Sequence, residues 1–341
     1  MNGLETVDRE KPDFRIGILA FRRILLNRLD GKASFVAMIK RLLSFLAIAQ
    51  ATAVFAQDLA PMGAEELNPI KLDYGIMPDI GDTEITTYGL QLNFGKPLKK
   101  GALAFSLGYR HYDFDFNRST NTIDLEPFEA MEVVRANVSW IGELGTSTRF
   151  VLSAGTALMS NLEDGLSSDD FVFNALAGII KQWPNSRLLV GVAYGTQFGE
   201  PTLLPAISFS QTLGPKWQYS IGLPQTGISF RPNDRSWLAL LASPQGIYGN
   251  NSGTIRAEGN QVLTNSKIQF NGLNTRLFYQ YRFTEQLAFF IEGGMLPISV
   301  LRISDSEGNE LLDLEPNNGA YANIGLKLVL SKPKKKKENE E

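Results

Sequence analysis

The stretch YANIGLKLVL, residues 321–330, decides the fold, because apolar and mixed polar side chains alternate along its whole length. Five alternate positions carry only hydrocarbon side chains: Ala322, Ile324, Leu326, Leu328 and Leu330. The positions between them include Asn323 and Lys327. Successive side chains of a β-strand point to opposite faces, so a period of two residues indicates a strand. We therefore predict a strand with one apolar face and one polar face.

The same period dominates the chain from residue 69 onward, and no segment has a convincing helical period. It predicts an all-β fold of fourteen strands, over 69–79, 84–95, 101–116, 129–143, 147–160, 170–183, 186–199, 203–212, 216–223, 226–231, 235–247, 266–283, 286–302 and 319–331. The ninth and tenth strands are short and are separated by Pro224, and twelve strands remain possible if a second pair is misread. Soluble β-sandwiches also alternate, so other patterns must indicate a membrane.

The lengths of the connections distinguish a membrane barrel from a soluble sandwich. The short connections are GKPLKK, ELGTS, WPNS, TLGPK, RPND and FTEQ. They alternate with long, acidic or amide-rich connections: NRSTNTIDLEP, SNLEDGLSSDD, IYGNNSGTIRAEGNQVLTNS and SDSEGNELLDLEPNN. Transmembrane barrels have short turns at the periplasmic rim and long loops at the outer rim. The connections therefore predict a transmembrane, antiparallel, up-and-down β-barrel over residues 69–331.

The tryptophans support this prediction, because all four lie beside a predicted short turn. Aromatic side chains collect at the interface between a membrane and water. Trp183 and Trp237 lack a clean register on the lipid face, so the clustering supports the barrel prediction without deciding it. The predicted aromatic girdle at the periplasmic interface consists of Phe94, Trp140, Trp183, Trp217, Trp237 and Phe283.

The N-terminal region predicts export. Residues 38–56 have the order of a secretory signal peptide, with Lys40 and Arg41 before an apolar run and cleavage after Ala56. The run is shorter than the ~20 residues of a transmembrane helix. For residues 1–37 we expect a mis-called upstream extension, with an extended signal or a cytosolic extension as the alternatives. We expect residues 57–68 to form a short periplasmic segment and residues 332–341 to form a charged, disordered tail.

Composition narrows the class further. The chain has no cysteine, so an exported domain of this kind must be held together by hydrogen bonds rather than by disulfides. The formal net charge is −3 for 33 basic and 36 acidic residues, and removal of the 9 basic and 5 acidic residues of 1–56 makes it −7. Nucleic acid is a poor partner for such a chain, because phosphate binding needs a basic face.

Residues 323–330 resemble the terminal signal by which the barrel-assembly machinery of Gram-negative bacteria recognises its clients. The segments GLPQTGISFRPNDRSWLALL and LFYQYRFTEQLAFFIEGG add strand-turn-strand units of the same kind. Over residues 69–331 the chain is similar to uncharacterised outer-membrane β-barrel families that are known only as domains of unknown function. The resemblance implies an outer-membrane location, with lipids and the assembly machinery as partners, and it implies no substrate. Leucine stands where an aromatic residue is usual, and a Lys-rich tail follows.

The sequence has little catalytic chemistry. His111 is the single histidine, so a lipid-modifying enzyme with an activated serine would need it as the base. Ser106 is the nearest serine on the same predicted strand, and a rim histidine is the simpler interpretation. Asp113 and Asp115 are better explained as solvated rim residues than as cation ligands. We expect no catalytic residue, metal site or cofactor, and we expect that the protein is not an enzyme.

The inward-facing positions predict a polar lumen. The candidate lumen residues are Arg135, Asn137, Arg149, Asn274, Arg276, Gln280, Arg282, Glu292 and Lys327. Folding of the hairpin about residues 284–286 places Glu292 opposite Phe278 and diagonal to Arg276 and Gln280. Such a network either fills the barrel structurally or lines a pore, and the sequence favours neither.

Three functions are therefore open. The first is a passive or gated channel for small solutes, whose identity the sequence does not indicate. The second is a structural or surface-binding barrel that acts through its long loops on lipopolysaccharide, glycans or a partner. The third, which is disfavoured, is a lipid-modifying enzyme that depends on His111.

Overall fold

The computed structural model describes residues 68–328 except 79, 81–82, 117–122, 258–260, 298 and 315–317. The predicted extension 1–37, the signal peptide with its cleavage point and the tail 332–341 lie outside these residues, as does nearly all of the segment 57–68. Two single-turn 3₁₀ helices are present, Glu126–Phe128 and Ser168–Asp170. Within the described residues, no helix has the length and the apolar character needed to cross a membrane.

The described part of the chain contains eighteen strands. They are β1 (Ile70–Met77), β2 (Thr83–Leu98), β3 (Gly101–Phe116), β4 (Ala130–Glu143), β5 (Thr148–Ser160), β6 (Phe171–Gln182), β7 (Ser186–Gly195), β8 (Thr202–Leu213), β9 (Trp217–Gly222), β10 (Thr226–Phe230), β11 (Ser236–Asn250), β12 (Thr254–Ala257), β13 (Gln261–Thr264), β14 (Lys267–Arg282), β15 (Leu287–Leu296), β16 (Ser299–Ser304), β17 (Glu310–Asp313) and β18 (Gly319–Leu328).

Fourteen of these strands close into a barrel. β1 to β11 pair antiparallel in chain order, and the ring is completed by the pairs β11–β14, β14–β15, β15–β18 and β18–β1. The predicted barrel of fourteen strands is confirmed, and the alternative of twelve is wrong. The hairpin β12–β13 and the strand β17 lie in connections that the sequence predicted as long loops. We call the two rims the long-loop end and the short-turn end.

The predicted strand 286–302 is wrong as one continuous element. It is divided into β15 and β16 at Pro297, which cannot donate a backbone hydrogen bond. β15 pairs with β18 as far as Leu296, whereas β16 pairs with residues 267–272 of β14, on the same edge of β14 as β15, and with β17. The wall therefore changes its pairing near the long-loop end.

The short hairpin β9–β10 leaves the upper parts of β8 and β11 without a partner between them. β9 reaches Ser208 of β8, and β10 reaches Ala242 of β11. Ile207 accepts a hydrogen bond from the backbone N–H of Leu223, so Pro205, two residues away, points to the same side. By the same alternation Pro244 faces this side of β11. Proline has no backbone N–H. At Pro205 and Pro244 the edges of β8 and β11 therefore leave no unpaired hydrogen-bond donor where a neighbouring strand is missing.

The strand faces follow the predicted alternation. In β18 Ile324 and Leu326 are exposed, whereas Asn323 and Lys327 are buried. Exposed apolar side chains recur on strand after strand, among them Leu72, Leu107, Val134, Leu152, Val190, Ile207, Leu240, Leu277 and Ile291. Isolated exposed apolar residues are ordinary, but a continuous belt of them around a closed barrel is stable only in an apolar environment such as a lipid bilayer.

The interior at the long-loop end is filled by one apolar cluster. Wall residues such as Phe114, Met131 and Phe270 point into it and are completely buried. Residues from the connections between the wall strands fold inward over them, and we call these residues the lid: Ile80, Ile123, Leu125, Phe128, Ile255 and Leu314. The long loops therefore close the mouth of the barrel rather than extend from it.

Hydrogen bonds join the loops around the lid. The side-chain amide of Asn161 donates to Pro127 O at 2.9 Å and to Asn251 Oδ1 at 2.6 Å. The backbone N–H of Ser252 donates to Asn161 Oδ1 at 2.9 Å. Three connections are thus linked through one residue. At Asn250 the end of β11 crosses the interior and pairs with Ser160 of β5.

Asp170 anchors the neighbouring part of this network. Asn250 Nδ2 donates to its carboxylate at 2.8 Å, and Lys267 Nζ donates to Asn250 Oδ1 at 2.8 Å. Burial opposes ionisation of Asp170, but hydrogen bonds from Asn250, Ser160 and Ser167 outweigh it and hold the pKa of the carboxyl below its usual value. The ionised carboxylate therefore favours the folded arrangement of these loops.

Candidate functional site in the barrel lumen

All nine predicted lumen residues occupy inward positions of their strands. Asn274, Gln280, Glu292 and Lys327 are buried. Arg135, Asn137, Arg149, Arg276 and Arg282 are partly buried. Whether these residues line a conducting pore stays a prediction, but the structure brings several of them into contact.

Glu292 is the centre of one such contact group. It lies opposite Phe278 in the β14–β15 ladder, so the predicted pairing is confirmed. Arg276 Nε is 3.5 Å from Glu292 Oε2, and the hydroxyl of Tyr321 donates to the same oxygen at 2.8 Å. Arg276 Nη1 also donates to Ser243 Oγ at 2.8 Å. The carboxylate is therefore buried with a cation and a hydroxyl donor, as a charge inside a barrel wall must be.

A second group surrounds Asp73. Arg110 Nη2 donates to Asp73 Oδ2 at 2.7 Å, and Lys71 Nζ lies 3.9 Å from the other carboxylate oxygen. Arg110 Nη1 donates to Thr87 Oγ1 at 3.3 Å. The sequence prediction missed these residues, although alternation with the apolar Leu72 would have placed Lys71 and Asp73 inward.

The inward positions of the wall strands are strongly basic. Eight basic residues in the described strands point inward, and we call them the lumen cations: Lys71, Arg110, Arg135, Arg149, Arg187, Arg276, Arg282 and Lys327. The acidic residues at inward positions of the same strands are Asp73, Glu292 and Glu143, and the last is exposed at the end of β4. The described lumen therefore has an excess of positive charge.

A cavity of about 270 Å³ lies between the two contact groups. Its lining is mainly polar and joins residues of β1, β2, β3, β11, β14, β15 and β18: Lys71, Met77, Thr87, Arg110, Tyr112, Gln245, Asn274, Arg276, Glu292, Tyr321 and Asn323. We call it the central cavity. Met77 and Tyr112 belong also to the apolar cluster, so the cavity lies directly beneath the closed end.

Lys327 points inward from β18 and packs against aromatic rings of β14 and β15. Its ammonium lies 4.8 Å from the ring centre of Phe278 and 4.7 Å from that of Phe290. Trp237 packs on Phe278 with ring centres 4.8 Å apart. Trp237 is only 7% exposed, so its assignment to the aromatic girdle is wrong. Leu238 and Leu240 take the outward positions of β11, and alternation therefore turns Trp237 inward.

The other predicted girdle residues have exposed side chains at the short-turn end. They are Phe94, Trp140, Trp183, Trp217 and Phe283. Trp140 contacts Phe150 edge to face, and Trp217 packs on Phe230. That these rings mark a membrane interface stays a prediction.

His111 lies on the outer face of β3, near the long-loop end. Its Nδ1 is 2.9 Å from Glu132 Oε1, and its ring stacks on Tyr88 with ring centres 4.7 Å apart. Ser106 is separated from it by five positions along β3, so the two side chains point to opposite faces of the wall. Within the described residues, no group of three His, Asp or Glu side chains is placed to hold a metal ion.

The class of protein follows from these features. A closed barrel of fourteen antiparallel strands, with an apolar outer surface, a polar lumen, short turns at one end and long connections at the other, is an outer-membrane β-barrel. The chain belongs to the family described as Domain of unknown function (DUF6268), whose model matches residues 96–329. No curated protein matches the chain.

The chain is weakly similar to several solved structures. LpxR from Salmonella typhimurium is 8% identical with a TM-score of 0.32, and the match covers 76% of this chain and 100% of LpxR. Outer membrane phospholipase A from Escherichia coli is 12% identical with a TM-score of 0.32, over 81% and 97% of the two chains. The Pseudomonas putida toluene transporter TodX is 8% identical with a TM-score of 0.30, over 82% and 96%. With TM-scores below 0.5, these likenesses carry no conclusion about this chain.

Proposed function

We propose that the protein is a gated channel for small solutes and that the described conformation is its closed state. The observation that carries this proposal is the excess of lumen cations. Inward charges of like sign repel one another within a wall of low dielectric constant, and water and mobile anions in the lumen relieve that repulsion. A barrel that served only as a surface anchor has no need of eight inward basic residues, whereas a hydrated route across the membrane accommodates them.

The lid is the proposed gate. It consists of loop residues, and loops move more readily than the strands of the wall. Phe128 is completely buried in the apolar cluster although it lies outside the wall strands, in the connection between β3 and β4. Movement of this connection would remove an apolar obstruction from the mouth of the lumen.

A surface-binding barrel with a permanently closed lumen is the second candidate. The hydrogen bonds that join Asn161 to Pro127, Asn251 and Ser252 favour it, because they hold the loops in one arrangement. A fixed outer surface of this kind is suited to a partner or to lipopolysaccharide. In this case the protein would show no conductance under any condition.

Conductance in planar lipid bilayers tests the choice. We expect rare openings from the wild-type protein and an open probability at least about tenfold higher for Phe128→Asp, because loss of a buried phenylalanine costs more than the ~1.4 kcal/mol that a tenfold change requires. Phe198→Asp is the matched control, since Phe198 lies in another connection at the same end and is exposed. It should behave as wild type.

Protein that is folded but silent would overturn the channel proposal. Folding is checked by comparing the migration of unheated and boiled samples on a gel. If folded wild type and folded Phe128→Asp both lack conductance, the surface-binding barrel is the better account.

A further inference from the structure

The charge of the lumen has the opposite sign to that of the chain. The chain has a formal net charge of −3, but the described inward positions carry eight basic residues against three acidic ones. Acidic residues such as Asp113 and Asp115 alternate with inward side chains and so lie on the outer face. A cleft with one sign of charge and walls of low dielectric constant concentrates ions of the opposite sign. The distribution therefore favours anions inside the barrel.

The central cavity places two guanidinium groups around one volume. Arg110 on β3 and Arg276 on β14 both line it. Each guanidinium has a carboxylate neighbour, Asp73 or Glu292, and a hydroxyl neighbour, and together these fix its orientation. A guanidinium has five N–H donors in a planar fork, so it can hold these neighbours and still contact an oxyanion.

The carboxylates of the cavity do not favour a cation in the same way. Asp73 already has Arg110 and Lys71 beside it, and Glu292 has Arg276 and the hydroxyl of Tyr321. The three basic residues in the lining exceed the nearby carboxylates by one charge. A cation that entered the cavity would therefore meet net repulsion, whereas an anion would meet net attraction.

We infer that the central cavity binds a small anion with carboxylate or phosphate groups and that anions are the solute class of the channel. The second half of this inference rests on the proposed channel function, and the first does not. The volume of about 270 Å³ lies just below the ~300–1,000 Å³ of pockets for drug-sized ligands, so the ligand is a small metabolite rather than an oligomer.

Isothermal titration calorimetry on the detergent-solubilised protein tests the binding site without any need for transport. The probes are succinate and inorganic phosphate as dianions, 1,4-diaminobutane as a dication and erythritol as a neutral solute. We expect saturable binding of at least one dianion and none of the dication or erythritol. Binding should weaken in high salt, where the Debye length falls to ~3 Å at 1 M.

Variants locate the site. Arg276→Gln should weaken dianion binding at least tenfold, and the pair Arg276→Gln with Glu292→Gln should do the same without leaving a buried carboxylate unpaired. Arg235→Gln is the control, because Arg235 is exposed in a short turn. It should bind as wild type.

The outcomes separate this inference from the channel proposal. Dianion binding without conductance upholds the cavity and overturns the channel. Conductance without dianion binding, or binding of the dication instead, leaves the channel intact and overturns the inference. Equal loss of binding in Arg276→Gln and Arg235→Gln would also overturn it, because the dianion would then be held by surface charge.

Discussion

The two halves of the lumen use the same strand alternation for different purposes. In the described residues the long-loop half contains one cluster of twenty buried apolar side chains, contributed by the wall and by the lid. The short-turn half contains two clusters of five, and the lumen cations lie around and between them. Phe270 and Arg276 show the contrast within one strand, because both point inward from β14 and are six residues apart.

This difference shows that inward orientation alone does not define a pore. Near the long loops the inward side chains form a packed core, which excludes water and gives the barrel a closed end. Toward the short turns the inward side chains include the lumen cations, whose excess of positive charge favours a hydrated interior. The proposed gate and the proposed solute path therefore belong to different halves of one lumen.

The largest effect is expected in the packed half. Phe270→Ala should lower the free energy of unfolding by about 3–5 kcal/mol, because it removes a completely buried side chain and leaves a cavity. Phe198→Ala, at an exposed loop position, should cost less than about 1 kcal/mol. Unfolding by urea in lipid vesicles, followed by tryptophan fluorescence, measures both. Similar costs for the two variants would show that the long-loop half is not a core.

The next effect concerns the outer face of the wall. Leu326→Arg should cost ~2–4 kcal/mol if the side chain lies near the middle of the bilayer. Lys327→Gln, the inward neighbour, should be better tolerated, although it loses the contacts of the ammonium with Phe278 and Phe290, worth about 0.5–2 kcal/mol. The same unfolding measurement applies. A larger cost for Lys327→Gln would mean that the two faces are exchanged.

A smaller effect is expected on ion selectivity. Arg276→Ala together with Arg282→Ala should shift the reversal potential in a salt gradient toward cation preference, because Glu292 then loses its basic neighbour. The shift should shrink at high salt. Arg235→Ala, in a short turn, is the control and should leave the reversal potential unchanged. A shift of the same size in the control would assign selectivity to the rim rather than to the lumen.

The smallest effect is the pH dependence of the loops. The folded-state pKa of Asp170 is lowered, so its stabilising contribution is fully present above the unfolded value of ~3.9 and is lost as the pH falls through the folded value. The free energy of unfolding of wild type should therefore fall more steeply below pH 4 than that of Asp170→Asn. Parallel pH profiles for the two proteins would show that Asp170 does not anchor the network.

Much of the wall could be predicted because the alternation of side chains within a strand indicates which of them face inward and which face outward. Alternation placed Ile324 and Leu326 outside and Asn323 inside without any knowledge of their neighbours. The hairpin between β14 and β15 is local, so the opposition of Glu292 and Phe278 followed from its turn. The tryptophan pattern misled at Trp237, because closeness to a turn does not determine which face a side chain takes.

The sequence by itself determined the class of fold, a barrel wall of about fourteen strands and the inward or outward side of most wall residues, because these depend on a period of two and on connection lengths. Only the tertiary structure decided that the loops fold inward as a lid, that Asp73 meets Arg110 and that the end of β11 crosses to Ser160. These contacts join residues far apart in the chain. Which residues meet in these contacts depends on the shape and charge of the closed barrel, so the contacts cannot be predicted from local sequence patterns.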